Sequence, residues 1–222
     1  MKLRRLFLAL LTVLLLCAAV SAADYSDVSD AHWANEQIVY LKDEIIGYPD
    51  GTYRPEKTVS RAEFLTLFAR IAYPDEWKQA ESDDWWKAAY DVCTAHRLLG
   101  DITGSRTEAM PRGEIAAILD RFCSGWGGVH ERADAANQYA INWKEQRMEY
   151  PEWQPLWPDA AEYGSSVLIC ANQGLLTGYP DGSFKPNKGV TRAEAAAILA
   201  RLKAQLTLRG KGCDYVCTVG EY

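Results

Sequence analysis

The stretch GYPDGTYRP at residues 47–55 recurs as GYPDGSFKP at residues 178–186. Each copy is followed at the same distance by a second motif, VSRAE at 59–63 and VTRAE at 190–194. Two matches of this length at one fixed spacing indicate an internal repeat, and a repeat of this kind decides the fold.

The two motifs predict a turn followed by a capped helix. Pro-Asp-Gly favours a turn because proline presets φ, aspartate bonds to nearby backbone and glycine accepts positive φ. Ser60-x-x-Glu63 and Thr191-x-x-Glu194 have the pattern of capping boxes. After each arginine, apolar residues at offsets of 3, 6, 7 and 10 form one face of a helix. These residues are Phe64, Leu67, Phe68 and Ile71 in the first copy and Ala195, Ile198, Leu199 and Leu202 in the last.

The same apolar stripe appears upstream of the first loop and again in an altered middle copy. Upstream it comprises Ala34, Ile38, Leu41 and Ile45, so the predicted unit is helix, loop and capped helix. In the middle copy, Arg112 is followed at the same offsets by Ile115, Ile118, Leu119 and Phe122. Its loop, GDITGS at 100–105, differs and is shorter, and Pro111 stands where a capping serine or threonine would be. Because one such unit cannot bury its own apolar face, we expect three units to pack together in an all-α fold.

The remaining sequence divides around these units. We expect a signal peptide at 1–22, because Lys2, Arg4 and Arg5 precede a short apolar run and a small-residue cleavage pattern. Lipidation at Cys17 is the alternative, which Leu16 before it disfavours. The repeats are assigned to 24–73, 74–123 and 156–205, with an aromatic insert at 124–155, where 134–148 could be helical, and a tail at 206–222. No transmembrane segment is expected after the leader.

Charge and cysteine usage narrow the classes of partner. The chain has a net charge of −6, and without the three basic residues of the leader 21 basic residues face 30 acidic ones, a net −9. This balance argues against nucleic acid or an anionic membrane surface as partner. Five cysteines beyond the leader are an odd number, which argues against a disulfide framework. Cys93 and Cys123 could form a bridge or be buried thiols, and Cys213 and Cys217 could form a local disulfide. No metal or cofactor is expected.

The motifs together resemble the S-layer homology repeat. YSDV at 25–28, HWA at 32–34, GYPDG at 47–51 and SRAE at 60–63 carry the resemblance, and it returns in WPDA at 157–160, GYPDG at 178–182 and TRAE at 191–194. The resemblance implies three tandem repeats in a pseudo-three-fold arrangement around a central helical bundle. It also implies binding of secondary cell-wall polysaccharide, often carrying a pyruvate ketal, in grooves between repeats. Such a protein would be anchored non-covalently at the cell wall of a bacterial envelope.

The resemblance assigns site residues as well. Arg61 and Arg192 would bind the pyruvyl carboxylate, and Arg112 matches them by position. Gly47 and Gly178 would let the sugar approach the backbone, and Asp27, Asp159 and Trp33 would line the groove.

Arginine suits this role because it forks two donors onto a carboxylate, here beside the free N–H groups of a helix start. The alternative is that each arginine pairs with a carboxylate of an adjacent repeat, such as Glu63 or Glu194. For Trp33 and Tyr163, a place in the core is favoured over a role as a stacking platform for the sugar. We expect the first and third repeats to carry the function and the middle one to be mainly scaffold.

Two other classes of function are weighed against an anchor. An enzyme is disfavoured, because the three histidines, His32, His96 and His130, belong to no recognisable catalytic motif and no nucleophile or phosphate-loop motif occurs. A protein–protein scaffold is the second alternative, with other surface proteins as partners of the insert at 124–156. Its support is the altered middle repeat and four tryptophans, Trp126, Trp143, Trp153 and Trp157.

Overall fold

The structure is a computed structural model that describes residues 25–79, 84–124 and 157–210. Its helices are α1 (Asn35–Tyr40), α2 (Arg61–Ala72), α3 (Pro74–Gln79), α4 (Lys87–Ala95), α5 (Arg112–Cys123), a 3₁₀ helix (Pro158–Tyr163), α6 (Gly164–Asn172) and α7 (Arg192–Gly210). These ranges contain isolated β-bridges but no strand, which confirms the all-α class. The predicted signal peptide, Cys213, Cys217 and the insert beyond Ser124, including its first three tryptophans, lie outside the described residues.

The two predicted capping boxes are present. At the start of α2, Ser60 Oγ accepts the Glu63 N–H at 3.2 Å, and Glu63 Oε2 accepts the Ser60 N–H at 2.8 Å. At the start of α7, Thr191 and Glu194 make the same two bonds at 3.2 and 3.1 Å. By contrast, α5 begins behind Pro111, whose side chain makes no capping bond.

The helix faces predicted from the apolar spacing form the core. All twelve residues at the four offsets are at most 9% exposed. Ala34, Ile38, Leu41 and Ile45 are at most 1% exposed, as their stripe predicts. However, α1 ends at Tyr40, so Leu41 and Ile45 reach the core from the turns after a short helix rather than from one continuous helix.

The helices pack in a cyclic order. Helix α4 packs on α2, α6 packs on α5, and α1 packs on α7, so each short helix contacts the long helix of the preceding segment. Helix α2 also packs on α7, and the Phe68 and Phe122 rings join α2 to α5 with a centroid separation of 5.4 Å.

Three backbone hydrogen bonds close a ring at the entrances to the long helices. The Val59 N–H donates to the Val190 carbonyl at 2.9 Å, the Val190 N–H to the Met110 carbonyl at 3.0 Å, and the Met110 N–H to the Val59 carbonyl at 2.9 Å. Each residue therefore donates to one neighbour and accepts from the other. This closed ring supports the predicted pseudo-three-fold arrangement, which stays an interpretation.

The described cysteines behave as small apolar residues. Cys93, Cys123 and Cys170 remain buried thiols, so the bridge considered between Cys93 and Cys123 is not formed. Burial raises the pKa of Cys93 to about 12, and it also raises the pKa of Cys170.

Across the described ranges, the helices lack the combination of length and apolar character needed to cross a membrane.

The capping geometry predicts the stability of two point variants. We expect Ser60→Ala and Thr191→Ala each to lower the free energy of unfolding by about 1 kcal/mol, because each leaves a first-turn N–H without its acceptor. Urea unfolding followed by circular dichroism measures the change. Thr94→Ala, on an exposed face of α4, is the control and should stay within about 0.5 kcal/mol of the parent. Losses no larger than that of the control would show that the boxes contribute nothing.

Candidate functional site

The three arginines that begin α2, α5 and α7 each insert into the loop of the next segment. The Arg61 side chain contacts the loop that precedes α5, Arg112 contacts the loop that precedes α7, and Arg192 contacts the loop that precedes α2. All three residues are buried, at 6–7% exposed. Each candidate groove is therefore built from the arginine of one segment and the loop of another.

Arg192 is surrounded by carbonyl oxygens and rings. Its Nε donates to the Tyr53 carbonyl at 2.7 Å, and its Nη2 donates to the Ile46 carbonyl at 3.2 Å. The guanidinium carbon lies 5.0 Å from the centroid of the Tyr48 ring and 4.6 Å from that of Tyr53. Among the described residues no carboxylate forms an ion pair with Arg192, so the positive charge is not compensated there.

Arg112 has the same surroundings and one nitrogen without a partner. Its Nη2 donates to the Thr177 carbonyl, and its guanidinium carbon lies 5.0 Å from the Tyr179 centroid and 4.9 Å from that of Phe184. Its buried Nε has no hydrogen-bond acceptor in the described part of the chain. Burial lowers the pKa of Arg112, although an arginine remains charged at any physiological pH.

Arg61 is saturated by carboxylates. Its Nε and Nη2 donate to the two oxygens of Glu114 at 2.7 and 2.6 Å, and its Nη1 donates to Glu108 Oε2 at 2.9 Å. The hydrogen bonds that Arg61 donates to Glu114 are the main reason that the pKa of Arg61 is raised. The alternative of a carboxylate partner from an adjacent repeat therefore holds at Arg61. The partners are Glu108 and Glu114, not Glu63 or Glu194.

The expectation that free helix-start N–H groups would attract an anion is wrong. The N–H groups of Arg61 and Ala62 donate to the carbonyls of Glu108 and Arg106. The first two N–H groups of α5 and of α7 are used in the same way. Arg112 and Gly113 donate to Lys188 and Pro186, and Arg192 and Ala193 donate to Lys57 and Pro55. The incoming loop occupies these donors, so the first two N–H groups of each long helix are not available to a ligand.

Asp27 and Asp159 hold the loops in shape. Asp27 accepts the backbone N–H groups of Tyr53 and Arg54, both at 2.7 Å. Asp159 accepts the equivalent groups of Phe184 and Lys185, the latter at 2.7 Å. Arg54 and Lys185 have a φ of 57°, a left-handed conformation that residues other than glycine rarely adopt. Both aspartates thus fix an unusual backbone, and their role in lining the groove stays a prediction.

Gly47 and Gly178 make room for an aromatic ring of their own segment. A Cβ at Gly47 would lie 2.2 Å from the Tyr25 ring, and one at Gly178 would lie 2.1 Å from the Trp157 indole. Packing of these rings already explains why glycine is needed, so approach of a sugar to the backbone stays a prediction.

The two residues that could belong to the core differ. Trp33 is 59% exposed, so the core reading is wrong for this residue, and its side chain is accessible. Tyr163 is half-buried, and its ring covers Gly113, whose Cβ position would lie 2.3 Å from it. Trp85 matches Trp33 in the middle segment and is also 59% exposed.

A lysine beside each of two grooves, those of Arg192 and Arg112, was missed at the sequence level. These two are called the open grooves, because their arginines form no ion pair with a described carboxylate. Lys57 Nζ donates to the Tyr48 hydroxyl at 2.9 Å and to Glu63 Oε1 at 2.8 Å. Lys188 Nζ donates to the Tyr179 hydroxyl at 3.1 Å and to Glu194 Oε1 at 2.8 Å. The signal was a lysine four residues before each of two arginines. It gains meaning only when the loop is known to face an arginine of another segment.

Comparison with known proteins identifies a family. The model of the S-layer homology domain matches residues 24–65 and 158–196. The chain is 24% identical over 204 residues to a cellulosome-anchoring protein of Acetivibrio thermocellus, covering 86% of the chain and 41% of that protein. It is 30% identical over 209 residues to the S-layer protein EA1 of Bacillus anthracis, covering 90% of the chain and 22% of that protein. The chain therefore spans less than half the length of these relatives.

The aspartate contacts predict a loss of stability that needs no ligand. We expect Asp27→Ala and Asp159→Ala each to lower the free energy of unfolding at pH 7 by about 2 kcal/mol, because each removes a charged acceptor from two N–H groups. The exposed residue Asp91 supplies the control, because its carboxylate accepts from the Lys87 side chain rather than from backbone N–H groups, and Asp91→Ala should cost less. Urea unfolding of the purified variants measures all three.

The pH dependence follows from the pKa of Asp159. Desolvation raises this pKa, but the N–H bonds from Lys185 and Phe184 outweigh it, so the pKa lies below its usual value. The contribution is therefore complete above the unfolded pKa of about 3.9 and is lost as pH falls through the folded value. The difference between the parent and Asp159→Ala should be smaller at pH 3 than at pH 7. An equal difference at both values would contradict the charged-acceptor explanation.

Proposed function

We infer, from a chain that carries S-layer homology domains at 24–65 and 158–196, that this protein is a non-catalytic cell-surface anchor. We propose that it binds an acidic cell-wall polysaccharide, such as one bearing a pyruvate ketal, in the two grooves that contain Arg112 and Arg192. The names of its relatives, a cellulosome-anchoring protein and an S-layer protein, support a location at the cell wall or cell surface.

The observation that carries the proposal is a pair of buried guanidinium groups that form no ion pair with any carboxylate in the described part of the chain. Removing a charge from water is costly unless an opposite charge or good hydrogen bonds compensate it. Within residues 25–79, 84–124 and 157–210, Arg192 donates to two neutral carbonyls, and the Nε of Arg112 has no acceptor. A carboxylate from a ligand would supply the missing charge and would accept a forked pair of N–H donors.

The surroundings of both arginines fit an acidic sugar. The rings of Tyr48 and Tyr179 each lie close to an arginine and a lysine, with Lys57 Nζ 5.4 Å and Lys188 Nζ 4.6 Å from the ring centroid. Around Tyr48 the described charged groups are Arg54, Lys57 and Arg192 against Asp50 and Glu63. Around Tyr179 they are Arg112, Lys185 and Lys188 against Asp181 and Glu194. Each groove therefore has one net positive charge, although the chain is acidic. The tyrosine hydroxyls add polar groups that can form hydrogen bonds with sugar hydroxyls.

The alternative of a protein scaffold receives no support from the one tryptophan of its set that is described. Trp157 is half-buried and packs on Phe184 with a centroid separation of 5.4 Å, covering Gly178. It is therefore part of the loop packing.

Amylopullulanase of Thermoanaerobacterium thermosulfurigenes is similar to this chain over only 9% of its own length. The likeness to this enzyme is therefore a likeness to a small part of it.

Conservative variants test the two arginines. We expect Arg112→Lys and Arg192→Lys each to weaken co-sedimentation of the purified protein with isolated cell walls by about tenfold, because the forked contact to a carboxylate is lost. The double variant should no longer sediment. Arg61→Lys is the matched control and should sediment like the parent, since Glu108 and Glu114 already occupy Arg61.

Thermal unfolding of each variant separates a binding defect from a folding defect. Unchanged sedimentation of a folded double variant would contradict the proposed sites. If Arg61→Lys alone lost sedimentation, the proposed assignment of binding to the grooves of Arg112 and Arg192 would be wrong.

A further inference from the structure

We propose that Glu108 and Pro111 permanently close the third groove, the one that contains Arg61. They do so by directing the Glu114 carboxylate onto Arg61, in the place that a ligand carboxylate would take at Arg112 and Arg192. The inference rests on the proposed function, because it takes the grooves at Arg112 and Arg192 as the working sites. It predicts that one chain binds two acidic sugars rather than three, and it names the residues that set this number.

The first step concerns the glutamate at the third position of each long helix. In α2 and α7 this glutamate stays at the start of its own helix, because its Oε2 accepts the N–H of the capping residue. Pro111 occupies the capping position of α5, and proline has no N–H to donate. Glu114 therefore cannot close a capping box. Its carboxylate instead reaches across to Arg61 on α2.

The second step concerns the residue four positions before each arginine. In the open grooves this residue is Lys57 or Lys188. Each lysine forms a 2.8 Å ion pair with the capping-box glutamate of the helix that follows it, Glu63 or Glu194. Glu108 stands at the equivalent position before Arg112 and offers Glu114 no cation. Glu108 instead accepts from Arg61 Nη1 at 2.9 Å and from the Ser105 N–H at 3.2 Å. The middle segment thus has glutamate in place of lysine at position 108 and proline in place of serine or threonine at position 111. Both differences direct a carboxylate onto Arg61.

The resulting geometry is that of a bound acid. Both oxygens of Glu114 receive forked donors from Arg61, at 2.7 and 2.6 Å, which is the bidentate arrangement that arginine forms with a carboxylate ligand. The partners of the glutamates also differ. Two glutamates form ion pairs with Arg61, whereas the glutamate beside each of the other two arginines forms an ion pair with a lysine. An anionic sugar would therefore meet an arginine whose donors are already occupied.

The altered middle loop therefore disables the arginine of the first repeat, not its own. Arg61 faces this loop, whereas Arg112 of the altered repeat faces the intact loop at 178–186. This reverses the expectation that the middle repeat is mainly scaffold, because Arg112 is assigned a working groove and Arg61 a structural one.

Exchanging the two residues tests the inference. We expect the double variant Glu108→Lys plus Pro111→Ser to restore the capping box, draw Glu114 off Arg61 and open a third site. Isothermal titration calorimetry with a methyl glycoside bearing a pyruvate ketal should give a stoichiometry of two for the parent and three for this variant. The matched reverse variant, Lys57→Glu plus Ser60→Pro, should turn Glu63 onto Arg192 and reduce the stoichiometry to one.

The outcomes separate this inference from the proposed function. Absence of binding to the parent would overturn the proposed function and the inference with it. A parent that binds two sugars, together with an opened variant that is folded by circular dichroism and still binds two, would overturn the inference alone. If the opened variant does not fold, Glu114→Gln replaces it, because it removes the charge at nearly constant size and should add a weaker third site.

A measurement without ligand completes the test. A crystal structure of the opened variant should show the Glu114 carboxylate on the backbone N–H of position 111, with Arg61 released. Persistence of the Glu114–Arg61 pair would contradict the assigned cause.

Discussion

The structure depends on the way in which the start of each long helix is completed by the loop of another segment. A helix start exposes N–H groups that need acceptors, and here two of them in each long helix bind carbonyls of the next loop. The same contact buries the arginine that begins the helix and sets its environment. The contacts that pack two segments together therefore also form the groove between them.

Much of the fold could be predicted from the sequence, because its cause is local. The apolar offsets after Arg61, Arg112 and Arg192 depend only on the helical period, and all of these residues are buried. The capping boxes depend on residues three apart, and both are present. Prediction is weaker for α1, where the stripe continues through turns that are not helical.

The site was harder to predict, because it is assembled between segments. The spacing of motifs along the chain associates Arg61 with the loop before it, whereas its guanidinium contacts the loop before α5. No periodicity reports such a pairing. The role of Pro111 was visible only as a missing cap, since the destination of the released Glu114 side chain depends on what lies opposite. Exposure of Trp33 likewise depends on how the segments meet, which its sequence pattern does not define.

The closed ring of Val59, Met110 and Val190 has a mechanical consequence. Two of its three junctions are also joined covalently, because the chain runs from α2 towards α5 and from α5 towards α7. The third junction, between α7 and the loop before α2, is a seam held only by non-covalent contacts, and Arg192 lies in it. The chain itself therefore does not hold this junction together if its non-covalent contacts are lost. A ligand that contacts both Arg192 and the Tyr48 loop would stabilise the junction, because it would bind only when the two sides are packed together.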